Sequence, residues 1–305
     1  GARAMSPSSD YRLVAEAGGL DSPTLIVMLT GWIDASESAS RAMQALLDEC
    51  GGDPLVEFDD DQYIDFRARR PIMSLRDSVS TELSWSSIEM RSGRDLKGND
   101  VLLLCGPEPD MFWHRFAERI GQLALDLGVS KMIGLGAYPY AVPHTRAPRL
   151  SVTTPSIDIR DRMPTRRSSI DLPAGMAAVL EHTMHDRHIP AMSLWAQVPH
   201  YVASMAYPAA TVALIEALNE HADVLIDGAD LRHEALGQRD RLDRLVSSNE
   251  EHQAMVVQLE RIYDADEDPT IGDAPADGTT MGAGPLPSAD ELAGEIERYL
   301  RDQGK

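Results

Sequence analysis

The chain is short of cysteine, of aromatic residues and of positive charge, and each shortage closes off a class of function. Its 305 residues include two cysteines, Cys50 and Cys105. Two cysteines give no framework spacing, which excludes a small disulfide-stapled scaffold. Cys50 ends a helical pattern and Cys105 closes an apolar run, so both read as small buried side chains. Aromatic residues are only 5% of the chain, against 43% hydrophobic residues. A sizeable core is therefore available, and Leu, Val, Ile, Met and Ala must build it. Lys and Arg number 28 against 49 Asp and Glu, a formal net charge of -21. Nucleic acid and anionic membranes are disfavoured as partners, because phosphate contact relies on Lys and Arg. No apolar run approaches the ~20 residues of a membrane span, and no secretory leader pattern is visible. The expectation is a cytoplasmic protein.

The common catalytic and cofactor signatures are missing too. There is no P-loop, no G-x-G-x-x-G, no G-x-S-x-G elbow and no H-E-x-x-H. Gly134-Leu135-Gly136 leads into Tyr138-Pro139-Tyr140 rather than into a helix, and reads as a turn. No pair of Cys or His residues has zinc-finger spacing. His182, His185 and His188 recur every three residues, but they cross the end of a helix just before Pro190, where His complements the macrodipole. Neither a metal nor a cofactor is expected.

What is present is an alternation of strand and helix patterns. Thr24-Leu25-Ile26-Val27-Met28-Leu29 is a continuous apolar run, as for a strand buried on both faces. Gly31 breaks it, and a helix follows with Ala39, Ala42, Met43, Leu46 and Leu47 on one stripe. Asp34 and Glu37 have the spacing of a capping box. Leu55–Phe58 reads as a short strand, 84–90 as an alternating strand at a sheet edge, and Val101–Cys105 as a second buried strand. A helix follows Pro109 with Phe112, Trp113, Phe116, Ile120, Leu123 and Leu127 at helical spacing. Strands are expected at 131–137, at 151–157 (weaker) and at 191–198, and helices at 174–187 and 208–221. This order argues for an α/β fold, with a mainly parallel sheet between two helical layers.

The last eighty residues differ. Leu242, Leu245, Val256, Leu259 and Tyr263 continue a three-four repeat through Asn249 and His252, which predicts one helix over 238–263. It is expected to pair with the segment around Leu225, Leu231 and Leu236 as a helical hairpin. Residues 264–287 are acidic and rich in Gly, Pro and Ala, a mobile linker by composition. Ser288 to Glu291 forms a capping box for a terminal helix carrying Leu292, Ile296 and Leu300. The expected divisions are a core domain over 1–225, a hairpin over 226–263, a linker over 264–287 and a helix over 288–305.

Four polar motifs stand where apolar runs end: Gly31-Trp32-Ile33-Asp34-Ala35, Gly106-Pro107-Glu108-Pro109, Pro143-His144-Thr145-Arg146 and Val198-Pro199-His200-Tyr201. Ligands and partners of open α/β sheets meet the chain beyond the carboxyl ends of the strands. The candidate surface therefore comprises Trp32, Asp34, Glu108, His144, Arg146, His200 and Tyr201. His can act as a general base and Arg can hold an anion. A hydrogen-bonded network that stiffens these loops explains the same residues. Asp59, Asp60 and Asp61, followed by Arg67, Arg69 and Arg70, read as a loop held by ion pairs.

The ordered set of motifs, with Tyr63 to Pro71, Trp113, Leu135-Gly136-Ala137 and Leu194 to Tyr201, resembles the proteasome-assembly-chaperone family. The likeness is to its second-chaperone type, in an actinobacterial branch of poorly characterised proteins. The resemblance implies a three-layer α/β/α core, similar to purine nucleoside phosphorylases and related hydrolases, and a homo-oligomer, with a trimer favoured. It does not imply phosphorolysis, since fold does not carry function, and no phosphate-binding Gly loop is found. Archaeal relatives dock on proteasomes through a C-terminal hydrophobic-Tyr-any tail. Here Tyr299 follows Arg298 and is not penultimate, so proteasome subunits are not the expected partner. The reading is a non-enzymatic assembly or interaction protein with a protein client. The alternative is an enzyme or small-molecule binder with a polar pocket at the carboxyl ends of the strands.

Overall fold

The computed structural model describes residues 10–15, 19–165 and 169–265. Its strands are β1 (Tyr11–Leu13), β2 (Thr24–Thr30), β3 (Asp53–Phe58), β4 (Ile72–Arg76), β5 (Val79–Ser84), β6 (Glu89–Arg94), β7 (Asp100–Pro107), β8 (Lys131–Tyr140), β9 (Leu150–Thr153) and β10 (Ala191–Pro199). Its helices are α1 (Ser38–Cys50), α2 (Asp60–Tyr63), α3 (Trp113–Asp126), α4 (Ile157–Arg162), α5 (Met176–His185), α6 (Pro208–Ala222), α7 (Ala229–Ser247) and α8 (Glu250–Ala265). Eight strands form one sheet in the order β1-β3-β6-β7-β2-β8-β10-β9. The central strands β7, β2, β8 and β10 are parallel. Antiparallel pairings flank them, with β6 on β7, β3 on β6, β1 on β3 and β9 on β10.

The apolar run of β2 is continuous because both its faces are covered. Leu25, Val27 and Leu29 join one core cluster with Phe116 and Ile120 of α3 and Leu180 of α5. Ile26 and Met28 join the opposite cluster with Ala39, Met43 and Leu46 of α1 and Leu214 and Leu218 of α6. β7 divides in the same way, Leu102 and Leu104 to one side and Val101 and Leu103 to the other. Successive side chains of a strand point to opposite faces, so a strand buried on both sides has no polar position to offer. The two thiols sit beside these layers as free cysteines. Burial pushes Cys50 up to about 12 and Cys105 up to about 11.

Several expectations fail, for identifiable reasons. Gly134-Leu135-Gly136 is not a turn but lies inside β8, where the missing side chains leave room for Ser193 and Trp195 of β10. The single helix over 238–263 is broken at Ser248 and Asn249, giving α7 and α8. Asn249 is a helix cap and not a polar interruption of a seam: its Oδ1 accepts the backbone N–H groups of Glu251 at 2.9 Å and His252 at 3.3 Å. The hairpin is thus α7 folded back to α8, with Leu242, Met255, Val256 and Leu259 in the core cluster beneath α6. The edge strand expected over 84–90 overlaps β6 only at Glu89 and Met90, and its first residue closes a separate two-stranded sheet, β4-β5. Asp264 and Ala265 end α8, and the rest of the expected linker and terminal helix lies outside the described residues.

One buried acid makes stability depend on pH. Glu181 on α5 is 3% exposed and accepts hydrogen bonds from Thr153 Oγ1 at 3.0 Å and from Ser193 Oγ. Burial pushes its carboxyl up to about 7. The unfolded chain releases this proton near pH 4.3, whereas the folded chain keeps it, so stability falls as pH rises from about 4.5 to 7. Urea denaturation of the native sequence between pH 5 and 8 should show a loss from this group on the order of 2–3 kcal/mol. Glu181→Gln should remove that part of the slope; an unchanged slope would show that Glu181 is ionised in the fold.

Candidate functional site

Because β2, β7, β8 and β10 run in one direction, the segments after Thr30, Pro107, Tyr140 and Pro199 leave the sheet at the same edge. All seven candidate residues lie on these segments. Their side chains fall into two groups, one around Trp32 and Glu108 and one around His144 and Tyr201.

In the first group, the backbone turns sharply after β2. Gly31 has φ 121°, and a Cβ there would press on Arg69 Nη2 at 3.0 Å and Glu108 Cγ at 3.2 Å. Glu108 Oε2 accepts the Met176 backbone N–H at 2.9 Å, so the carboxylate caps the first turn of α5. Trp32 lies against Gly175, where a Cβ would come within 2.8 Å of the indole. Arg69 reaches Asp110 at 3.1 Å, and Asp110 also accepts the Asp65 N–H at 2.9 Å. Of the basic run after Tyr63, only Arg69 is held by an ion pair among the described residues, and its partner is Asp110 rather than Asp59, Asp60 or Asp61. Asp59 and Asp60 serve other bonds, to Gln62 Nε2 and to the Ile88 N–H. Trp113 Nε1 donates to the Pro109 carbonyl at 2.6 Å, closing the loop onto α3.

Asp34 links the turn after β2 to α1. Its carboxylate accepts the Ala39 N–H at 2.8 Å, the Ser40 N–H at 2.9 Å and the Ser40 hydroxyl at 2.7 Å. The expected capping box is therefore not formed: the helix starts at Ser38, and Asp34 reaches past Glu37 to the N–H groups beyond it. Ser36 and Glu37 both have positive φ in the intervening turn. Ser36 Oγ holds that turn to the Val202 carbonyl at 3.0 Å, beside the last motif.

The second group is a polar clip on the hairpin. Tyr201 is 2% exposed, and its hydroxyl accepts the His144 N–H at 2.7 Å and meets His144 Nδ1 at 2.6 Å. His144 Nε2 lies 3.2 Å from Asp243 on α7. With Nε2–H given to Asp243, Nδ1 accepts the tyrosine proton, and each of these polar atoms is paired. Burial lowers the pKa of His144 despite the pull of Asp243, and burial drives the Tyr201 phenol far above its usual range. Thr145 Oγ1 donates to Glu260 at 2.5 Å, and Arg146 spans Glu260 at 3.0 Å and Asp264 at 2.8 Å. Asp264 holds the guanidinium in its charged form. Arg149 lies 3.5 Å over the Tyr263 ring, whose hydroxyl donates to the Ala147 carbonyl at 2.9 Å. His200 stands edge-on to Tyr201 at 5.4 Å between ring centroids, and burial lowers its pKa.

Asp243, Glu260, Asp264 and Gly175 belong to these groups and carry no local sequence signal. Three sit on a helical surface where an acid is ordinary, and each partner is a hundred or so residues distant in the chain. The motif polar groups serve the fold: Glu108 and Asp34 cap helices, and His144, Arg146 and Tyr201 bind the hairpin. Among the described residues no cluster of His, Cys, Asp or Glu has the form of a metal site. An open depression of about 520 Å³ lies along α1 and the start of α7, lined by Arg41, Asp48, Glu49 and Asp230, and includes none of the seven residues. What the carboxyl edge offers outward is apolar: Trp32, Ile33, Met111, Phe112, and Ile170 and Leu172 on the approach to Gly175 are all exposed.

Two substitutions separate the parts of the clip. Tyr201→Phe leaves the buried His144 N–H without its acceptor and should cost about 1–3 kcal/mol in chemical denaturation. Arg146→Ala should leave the body folded while speeding protease cleavage at the turn between α7 and α8. Cleavage no faster than in the native sequence would mean that packing alone holds the hairpin.

A family model described as the PAC2 family matches residues 28–246. No curated protein matches the chain. Among solved structures, a Corynebacterium glutamicum protein of unknown function is similar with a TM-score of 0.79 and 28% identity, over 84% of this chain and 97% of its own. A Mycobacterium tuberculosis protein of unknown function has a TM-score of 0.78 and 31% identity, over 87% of this chain and 92% of its own. A Mycobacterium tuberculosis proteasome-assembly chaperone homologue has a TM-score of 0.70 and 30% identity, over 76% of this chain and 99% of its own. The family model runs from inside β2 to the end of α7, and so takes in all four motifs and the first helix they clip. The chain belongs to the PAC2 family.

Proposed function

We propose that this protein is a non-enzymatic assembly or interaction protein of the proteasome-assembly-chaperone type. In this reading it works in the cytoplasm as a homo-oligomer, a trimer in preference, and offers the carboxyl edge of its sheet to a protein client. One observation carries the proposal. The polar side chains of the motifs are spent on hydrogen bonds within the fold, while the large apolar side chains between them face solvent. A catalytic edge needs convergent polar groups left free for substrate, whereas a protein-binding edge needs exposed aromatic and aliphatic anchors.

Phe112 is the sharpest of these anchors. It is 55% exposed, and its backbone is left-handed, with φ 58° and ψ 38°. Gly or Asn relieves such a conformation, and a bulky residue there is strained. An aromatic ring that joins neither core cluster, stays more than half exposed and costs backbone strain is best explained by something it touches outside the chain. Client recognition through a few such anchors accords with how binding energy concentrates in interfaces.

The test uses Phe112→Asn. Fold stability should be unchanged or raised, by up to about 1 kcal/mol, because Asn tolerates the left-handed backbone. Capture of a defined client from a lysate of the native cell, quantified against the native sequence, should fall at least tenfold. Full retention of capture would remove Phe112 from the interface. Light scattering at micromolar concentration should give a multiple of the protomer mass, and incubation with nucleosides and phosphate should give no cleavage. Phosphate-dependent turnover abolished by Arg146→Ala would establish the enzyme instead.

A further inference from the structure

The carboxyl edge carries cations beside its apolar anchors. Thr30 pairs with Pro107 in the sheet, and Glu108 lies against Gly31, so the loops after β2 and β7 leave side by side. Trp32, Ile33, Met111 and Phe112 stand exposed on these two loops. The turn that holds Arg67 and Arg70 is fastened next to Met111, because Asp110 pairs with Arg69 and accepts the Asp65 N–H. The β4-β5 arm adjoins that turn, with Trp85 at its root edge-on to Phe66 at 4.8 Å between centroids. The carboxylates of the two loops and the turn are already bonded: Glu108 to the Met176 N–H, Asp110 to Arg69, and Asp65 to the Arg67 N–H at 2.9 Å. The Arg67 and Arg70 side chains are exposed and meet no carboxylate among the described residues.

We infer that the chain's own segment 288–300 docks on this patch, with Leu292, Ile296 and Leu300 on the apolar anchors and Glu291 and Glu295 toward Arg67 and Arg70. The segment holds the client surface closed until a client displaces it. This deepens the reading of the edge as an interaction surface and rests on it. Three observations favour this occupant. The first is pattern. Leu292, Ile296 and Leu300 recur every four residues, which puts them on one stripe of a helix, and Glu291 and Glu295 fall along one border of that stripe. A helix of this length, about 20 Å, is marginal in water without a surface to lie on. The second is charge. Residues 266–297 hold nine Asp and Glu and no Lys or Arg. In a chain of net charge -21, such a segment is drawn to arginines that lack a partner. The third is reach. The end of α8 is held to the segment after β8, by Asp264 on Arg146 at 2.8 Å and by the Tyr263 hydroxyl on the Ala147 carbonyl at 2.9 Å. The chain therefore passes residue 265 at the carboxyl edge. Only β2 separates β8 from β7 in the sheet, a gap of about 10 Å. A flexible chain as long as 266–287 spans roughly 25 Å, so the segment meets the patch of its own protomer at a high effective concentration.

The experiment is amide hydrogen exchange on the full chain, with thermal melting as the folding control. In the native sequence the amides of 288–300 should be protected at least tenfold over their intrinsic rates. Leu292→Asp with Ile296→Asp, and separately Phe112→Asn, should abolish that protection, and Arg67→Glu with Arg70→Glu should cut it at least threefold. Phe112→Cys with Ile296→Cys should close a disulfide within one protomer on mild oxidation. A product at twice the protomer mass would instead place the segment on a second copy and overturn the contact within one chain. Absence of protection over 288–300, or protection that Phe112→Asn leaves intact, overturns the docking. Capture of the same defined client should rise at least threefold in the Leu292→Asp, Ile296→Asp variant; unchanged capture overturns the closing of the surface by the segment. The two readings of the edge fail separately. If 288–300 is unprotected while Phe112→Asn still loses the client, the docking falls and the client surface stands. If protection depends on Phe112 while Phe112→Asn keeps full capture, the client reading falls and the docking stands.

Discussion

Burial of β2 on both faces is the constraint from which the rest of this structure follows. A strand with Leu25, Val27 and Leu29 on one side and Ile26 and Met28 on the other cannot tolerate water on either side. Helices must cover both faces, and parallel crossovers supply them. The same arrangement sends the loops after β2, β7, β8 and β10 out at one edge, so that four chemically distinctive segments meet where the core leaves room for them.

What those segments do there is mostly architectural. Carboxylates at helix starts and a buried His–Tyr pair are also the raw materials of catalytic sites, and the same residue types support either use. The partners decide between the two. Glu108 is committed to the first turn of α5, Asp34 to that of α1, and Arg146 to Glu260 and Asp264. A side chain whose bonding capacity is taken up inside the fold is a poor candidate for chemistry on a substrate. The exposed Trp32 and Phe112, which carry no acid–base chemistry, become the informative members of the edge.

The sheet and its helical layers were legible because their signals are local and strong. The apolar runs at 24–29, 101–105, 131–137 and 191–198 can hardly be anything but buried strands. The motif positions were legible for a similar reason, since each closes such a run. The rest depended on contacts across long stretches of chain. Nothing near Tyr201 announces His144, and nothing near His144 announces Asp243. The β4-β5 arm escaped notice because its strands lack a solvent face and a core face, so their pattern does not alternate as that of a half-buried strand should. Asn249 misled in the opposite way: a polar residue at a seam position and a helix cap look alike until the chain direction after it is known.

The position of the clip along the chain bears on how the protein is made. Residues 144–149 leave the ribosome long before α7 and α8, on which their bonds depend. A growing chain can close its sheet, but until α7 and α8 have been made His144 and Arg146 lack the carboxylates of Asp243, Glu260 and Asp264. The apolar flank of α6 waits uncovered over the same interval. The docking of α7 and α8 therefore follows closure of the sheet, and a chain truncated before Asn249 exposes the apolar flank of α6, the kind of surface on which incomplete chains aggregate.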